Sequence, residues 1–119
     1  MAELGPEEGR ALCEVLEGPA PTSVRLHPQR PCRWNGAETV PWSPAGRYLT
    51  ERPSFTLDPA FHAGAYYVQE ASSQFVGHLL AAVRTEGARI LDLCAAPGGK
   101  TTLYASLAGP DGLVVANEI

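Results

Sequence analysis

Ala88-Arg-Ile-Leu-Asp-Leu-Cys-Ala95 is an apolar run of strand length, and Ala96-Pro-Gly-Gly99 behind it is a tight turn. Residues 100–107 have helical composition and stop at Gly109, after which Pro110-Asp-Gly112 turns the chain into a last apolar run, Leu113-Val-Val-Ala-Asn-Glu118. Strand, glycine turn, helix and strand make a βαβ unit, whose right-handed crossover sets the two strands parallel. Both strands are predicted to be buried, because parallel sheets are covered on both faces. The predicted class is α/β, with residues 61–119 forming the first part of a Rossmann-like domain.

Sheets of this kind bind ligands at the carboxyl ends of their strands, beside the first turn and the helix N-terminus. That turn here is Asp92-Leu-Cys-Ala-Ala-Pro-Gly-Gly-Lys-Thr-Thr102. Cys94, Ala96 and Gly98 are small residues spaced two apart, as close backbone approach by a ligand requires. Glu118 lies 20 residues beyond Gly98, at the end of the next strand, where a carboxylate can accept both hydroxyls of a ribose. A dinucleotide loop wants glycines where this one has cysteine, alanine and proline. A P-loop wants a glycine where Cys94 stands, although Gly99-Lys100-Thr101 fits its end. S-adenosylmethionine needs a small-residue loop and a ribose carboxylate but no phosphate pocket, and these residues meet that without exception. On spacing alone a phosphate ligand and a purely structural turn stay open beside it.

Upstream, residues 69–83 have helical period, with Phe75, Val76, Leu79, Leu80 and Val83 along one face. Residues 28–59 are punctuated by proline and carry Trp34, Trp42, Tyr48 and Phe55, which reads as strands and loops of a small α+β lobe. Residues 22–27 alternate like a strand, and 7–16 place Ala11, Leu12, Val15 and Leu16 at helical spacing. The predicted division is a lobe over residues 1–60 and the Rossmann-like part over 61–119. The second apolar strand ends the chain with no neighbour after it, so the reading is the N-terminal portion of a longer protein.

The chain has 119 residues and a net charge of −4, with 45% hydrophobic and 18% charged residues, a globular composition. No apolar stretch approaches the about 20 residues of a membrane span. The acidic N-terminus lacks the layout of a secretory signal, and a cytoplasmic location is expected. Three cysteines without paired spacing argue against a disulfide framework or a zinc site. Charge is uneven: residues 21–53 carry Arg25, Arg30, Arg33, Arg47 and Arg52 against two acids, while the segments on either side are acidic. Arginine suits bidentate phosphate contacts and stacking on bases, so these five are the candidate RNA contacts; a solvated loop is the plain alternative.

Asp92 to Thr102 resembles the first signature motif of the RNA cytosine-5 methyltransferases of the Nol/Nop/Sun family. Tyr66-Tyr-Val-Gln-Glu-Ala-Ser-Ser73 resembles the segment this family places before its first core strand. Thr22-Ser-Val-Arg-Leu-His-Pro28 is similar to the strand of its N-terminal RNA-binding region, and Ala116-Asn-Glu118 to its second motif. The run from Phe61 to Ser73 looks closest to the bacterial ribosomal-RNA members.

The resemblance implies an S-adenosyl-L-methionine-dependent methyltransferase acting in rRNA processing, with transfer RNA as the other possible substrate. Cys94, Ala95, Ala96, Pro97, Gly98, Gly99 and Lys100 would wrap the methionine and ribose portions of the donor through backbone groups and the helix N-terminus. Glu118 would hold the ribose hydroxyls, and the arginine-rich lobe would face RNA. The family's nucleophile is a cysteine thiolate that adds to carbon 6 of an extruded cytosine. The resemblance carries that role onto none of Cys13, Cys32 and Cys94; the catalytic cysteines are expected beyond Ile119, and this chain alone is expected to be inactive. The alternative is a non-catalytic RNA-binding or donor-binding remnant.

Plainer roles stand beside these. Cys94 reads as a small buried residue and Lys100 as a first-turn lysine. Trp34 and Trp42 read as core, and Asp92 as an organiser of the loop. His27, His62 and His78 share no ligand spacing, so no metal is expected.

Overall fold

A computed structural model of the chain describes residues 4–119. Helix α1 (Gly5–Glu17) leads into strand β1 (Thr22–Leu26), then β2 (Thr39–Val40) and β3 (Ser43–Leu49). The one-turn helix α2 (Pro59–His62), strand β4 (Tyr66–Val68) and helix α3 (Ala71–Leu80) follow. The chain closes with β5 (Arg89–Asp92), α4 (Gly99–Ala108) and β6 (Leu113–Ala116).

Two sheets result. The first is four-stranded and antiparallel, in the order β2-β3-β1-β4. Its central strand β1 pairs Thr22 with Leu49 and Arg25 with Gly46 on one edge, and Val24 with Val68 and Leu26 with Tyr66 on the other. β4 lies past residue 60, so this sheet draws on residues beyond the predicted lobe. The second sheet is the parallel pair β5–β6, with Arg89 opposite Leu113 and Asp92 opposite Ala116, as the βαβ reading requires.

The core belongs to the first sheet. Val24, Leu26, Cys32, Phe55, Ala65 and Tyr66 are buried together, with Trp34, Leu49 and Phe61 packed on them. Tyr66 collects three ring contacts, to Trp34, Phe55 and Phe61 at centroid distances of 6.4, 6.1 and 5.9 Å. Its hydroxyl donates to Asp58 Oδ2 at 2.8 Å, and Asp58 caps α2 by accepting from Ala60 N–H at 3.0 Å. Trp42 packs edge-on against Phe75 and donates its indole N–H to the Ala71 carbonyl at 2.7 Å, tying β3 to α3.

Three expectations about burial are corrected. β5 and β6 are not buried on both faces: Leu91, Leu93, Leu113 and Val115 are 61%, 65%, 54% and 50% exposed, because α4 packs on one side of a two-stranded sheet and no described residue covers the other. α3 starts at Ala71 rather than residue 69, and the side it buries carries Ala71 and Gln74 while Phe75, Leu79 and Val83 are exposed. The helical period is real, but Gly77 and Gln74 let α3 lie close to Leu103 of α4 and the Val24 backbone. In α1 the predicted apolar residues Leu12, Val15 and Leu16 are likewise exposed.

Candidate functional site

The candidate site forms where β5, α4 and β6 meet. β5 ends at Asp92, a buried carboxylate whose two oxygens are both engaged. Oδ1 accepts from Cys94 N–H at 3.2 Å and Oδ2 from the Thr101 hydroxyl at 2.6 Å, so one side chain joins the start of the loop to the first turn of α4. The loop is then stitched to the end of β6. Asn117 N–H donates to the Asp92 carbonyl at 2.7 Å, and Ala95 N–H donates to the Asn117 carbonyl at 3.0 Å. Ala96 N–H donates to Glu118 Oε2 at 2.7 Å. Gly98 caps α4 with φ +100°, a left-handed conformation that glycine adopts without a Cβ penalty.

These bonds bear on what the loop can hold. A phosphate cradle works by aiming several backbone N–H groups inward at one anion. Here the N–H groups of Cys94, Ala95, Ala96 and Gly98 are spent on Asp92, Asn117, Glu118 and the Ala95 carbonyl. What stays on offer is the first turn of α4, whose N–H groups have no partner within the helix, and the second carboxylate oxygen of Glu118. That suits a ligand with hydroxyls and one small anionic group better than a chain of phosphates.

A cleft of about 170 Å³ opens beside the loop. Residues 94–97, Gly99 and Lys100 line it together with Tyr67, Gln69, Glu70 and Ser73, which come from β4 and the start of α3. The Tyr67 hydroxyl donates to the Pro97 carbonyl at 2.8 Å and links β4 to the loop. A larger groove of about 530 Å³ runs between residues 25–29 and α4, but no part of the small-residue loop lines it.

The predicted loop residues Cys94 to Lys100 and the predicted carboxylate Glu118 are therefore brought together, from two elements far apart in sequence. The five arginines are not. Arg25 is only 5% exposed. Its Nε donates to Gln69 Oε1 at 2.8 Å, and its Nη2 donates to the Gly99 carbonyl at 3.1 Å and to Thr102 Oγ1 at 2.6 Å. Burial draws its pKa down to about 10. With Nε and Nη2 committed to groups of its own chain, the buried Arg25 braces the two sheets rather than standing on the surface for RNA, which corrects the expectation for Arg25. Arg47 is half-buried and donates to the carbonyls of Asn35, Pro44 and Gly46, so it too serves its own lobe.

Arg30, Arg33 and Arg52 are exposed around the rim of the first-sheet core. Arg30 donates to the Ala63 carbonyl, Arg33 pairs with Asp58 at 2.9 Å and lies over Trp34, and Arg52 lies over Phe55. Cys32 is buried in the core and Cys13 lies on α1, while Cys94, expected to be buried, is exposed because it sits in the open loop after β5 and lines the cleft. Among the described residues no group of histidine, cysteine or acidic side chains is arranged to hold a metal, and no helix is long and apolar enough to cross a membrane. Gln69 and Tyr67 join the site without having been expected there; a lone glutamine in a short extended segment has no local pattern to mark it.

Two family models match the chain. Residues 1–71 match the N-terminal domain of 16S rRNA methyltransferase RsmF, and residues 79–119 match 16S rRNA methyltransferase RsmB/F. Ribosomal RNA small subunit methyltransferase F of Cronobacter sakazakii is 40% identical over 83 residues, covering 66% of this chain and 17% of that protein. Ribosomal RNA small subunit methyltransferase B of Photorhabdus laumondii is 42% identical over 83 residues, covering 70% of this chain and 19% of that protein. The chain thus spans under a fifth of the length of these relatives. A crystal structure of a methyltransferase homolog protein from Pyrococcus horikoshii superposes with a TM-score of 0.73 at 31% identity, over 97% of this chain and 45% of that one. With more than half its length in the first match and the βαβ segment in the second, the chain belongs to the RsmB/F family of 16S rRNA methyltransferases.

Proposed function

We propose that this chain carries the methyl-donor loop and the RNA-facing lobe of an S-adenosylmethionine-dependent enzyme that methylates carbon 5 of cytosine in ribosomal RNA. The observation that supports this most is the hydrogen bond from Ala96 N–H to Glu118 Oε2, which sets a carboxylate at the mouth of a small-residue loop. S-adenosylmethionine supplies an activated methyl group when bound. The residues of this chain bind and orient it: Glu118 accepts the ribose hydroxyls, and the loop 94–100 leaves room for the thioether end. The first turn of α4 with Lys100 faces the anionic end. None of Cys13, Cys32 and Cys94 is assigned as nucleophile. Cys32 is buried in the core of the first sheet, and Cys94 is held in the loop by Asp92.

Calorimetry on the full-length protein that contains this chain tests the reading. S-adenosylhomocysteine is expected to bind, and ATP and NAD are not. Glu118→Ala is expected to weaken S-adenosylhomocysteine by about 1.5–3 kcal/mol, the loss for a hydrogen bond to a charged group. Binding of ATP without S-adenosylhomocysteine sinks the assignment.

For the RNA side, Arg30, Arg33 and Arg52 are the exposed three of the five arginines in residues 21–53, and they are the proposed phosphate partners. Changing all three to glutamine is expected to weaken RNA binding. It should also flatten the dependence of log K on log salt by about 0.7–0.9 for each phosphate that is no longer neutralised. An unchanged slope would mean that these side chains only brace the lobe through Ala63, Asp58 and Phe55.

A further inference from the structure

Gln69 is 5% exposed and sits between the two sheets. Its backbone is held at both ends: its N–H donates to the Ser23 carbonyl at 3.2 Å, and its own carbonyl accepts from the Ser23 hydroxyl and from Gln74 Nε2. The orientation of its side-chain amide is set by chemistry rather than by choice. Arg25 can only donate, and its Nε lies 2.8 Å from Oε1, so the oxygen must face Arg25 and the NH₂ must face away. That NH₂ is buried and has no hydrogen-bond partner among the described residues. A buried donor left unmatched is destabilising, and native proteins keep one where a ligand or water supplies the acceptor.

The orphan donor is aimed at the donor loop. Gln69 lines the cleft with Cys94, Gly99 and Lys100, and a Cβ on Gly99 would lie 3.2 Å from Nε2, so the loop passes directly against the amide. Around the same cleft stand the N-terminal turn of the ten-residue helix α4 and the Lys100 ammonium, both of which favour an anion. Glu70 lines it as well and offers an acceptor to a cation. One anion-binding group and one cation-binding group within a cleft of about 170 Å³ match an α-amino acid zwitterion.

We propose that Gln69 is a donor-binding residue, with Arg25 as its positioning residue: the Gln69 amide NH₂ donates to the carboxylate at the amino-acid end of the methyl donor. This rests on the methyl-donor reading above. It makes β1, a strand of the RNA-facing lobe, a structural part of the donor site, because Arg25 presents Gln69 while also holding Gly99 and Thr102.

Gln69→Glu tests it. Glutamate keeps an oxygen for Arg25, so the link between the sheets survives, but it replaces the orphan donor with an acceptor carrying negative charge. In calorimetry on the full-length protein, Gln69→Glu should weaken S-adenosylhomocysteine about 10- to 100-fold. It should leave methylthioadenosine, which lacks the amino-acid end, within about twofold. The double variant Gln69→Met/Arg25→Met, which removes the amide together with the guanidinium that would otherwise lose its oxygen, should give the same pattern with a smaller loss, and it serves if the glutamate variant does not fold. Equal losses for both ligands would mean that Gln69 is only structural, and unchanged binding of S-adenosylhomocysteine would mean that its NH₂ meets no part of the donor. Either result overturns the inference while leaving the methyl-donor reading intact. Wild-type protein that binds neither ligand would overturn both.

Discussion

Tyr66→Ala is expected to destabilise the protein by about 3–5 kcal/mol, the range for removing a buried aromatic ring. Tyr66 is 3% exposed and makes ring contacts with Trp34, Phe55 and Phe61, which come from separate segments of the first lobe. Removing it opens a cavity at the one place where the loops of the first sheet find a common core. It also takes away the hydroxyl that donates to Asp58, the residue that caps α2 and pairs with Arg33. Denaturant unfolding of wild type and variant measures the loss, and a difference below about 1 kcal/mol would show that the loops are held by other means.

The conservative variant Tyr66→Phe separates packing from polarity and gives the effect a pH signature. Burial, reinforced by the hydrogen bond to Asp58, pushes the Tyr66 hydroxyl up to about 12. The folded protein thus keeps this proton after the unfolded chain has lost it. The stability the pair contributes is complete below pH 10 and falls as pH rises from there toward 12. In the other direction, the hydrogen bond from Tyr66, then the Ala60 N–H and the Arg33 charge, hold the Asp58 carboxyl below its ordinary value. That contribution is present above the ordinary carboxylate range and is lost as pH falls through the folded value. Tyr66→Phe should reduce both the alkaline decline, to which the half-buried Tyr104 also contributes, and the acid one, read as melting temperature against pH.

Arg25→Met is expected to cost about 2–4 kcal/mol. The hydrogen bonds it removes come from a charged, buried donor, and each such bond is worth about 1.5–3 kcal/mol. Gln69 Oε1 then loses a partner it cannot easily replace, whereas the Thr102 hydroxyl remains beside the Gly98 and Gly99 carbonyls at 2.8 and 3.3 Å. Against this, methionine has no charge to desolvate, and burial of the guanidinium is costly enough to pull its pKa down to about 10. Replacing a buried charge with an apolar side chain recovers part of such a cost, which is why the expected loss stays below the sum of the bonds. The loss should be local. Amide exchange should rise in the first turn of α4 more than in β1 and β3, because Arg25 is the side chain that pins that turn to the first sheet. Uniform loss of protection, or none, would show that the sheets are held together mainly by the packing of α3 on α4.

The βαβ half was legible because its signals are local. A four-residue strand, a left-handed glycine before a helix and a glycine after it are each written within a few residues, and the parallel pairing follows from the handedness of the crossover. The loop's small residues and Glu118 were legible for the same reason, since strand and helix lengths dictate the offset between them. The four-stranded sheet was harder. β2, β3 and β4 are two to seven residues long and are joined by proline-rich loops, so their pairing depends on contacts that no window of sequence contains.

By itself, then, the sequence determined the βαβ unit, the small-residue loop with the Glu118 carboxylate beside it and the basic character of residues 21–53. Only the tertiary structure decided which arginines face water, which apolar residues are covered, and where Gln69 points. The physical reason is the same in each case. Charge and hydropathy are properties of one residue, but burial and hydrogen-bond direction belong to pairs. Arg25 looks like its four neighbours until β1 is laid beside β4 and α4, where its guanidinium meets Gln69, Gly99 and Thr102 and turns from a surface charge into a buried brace.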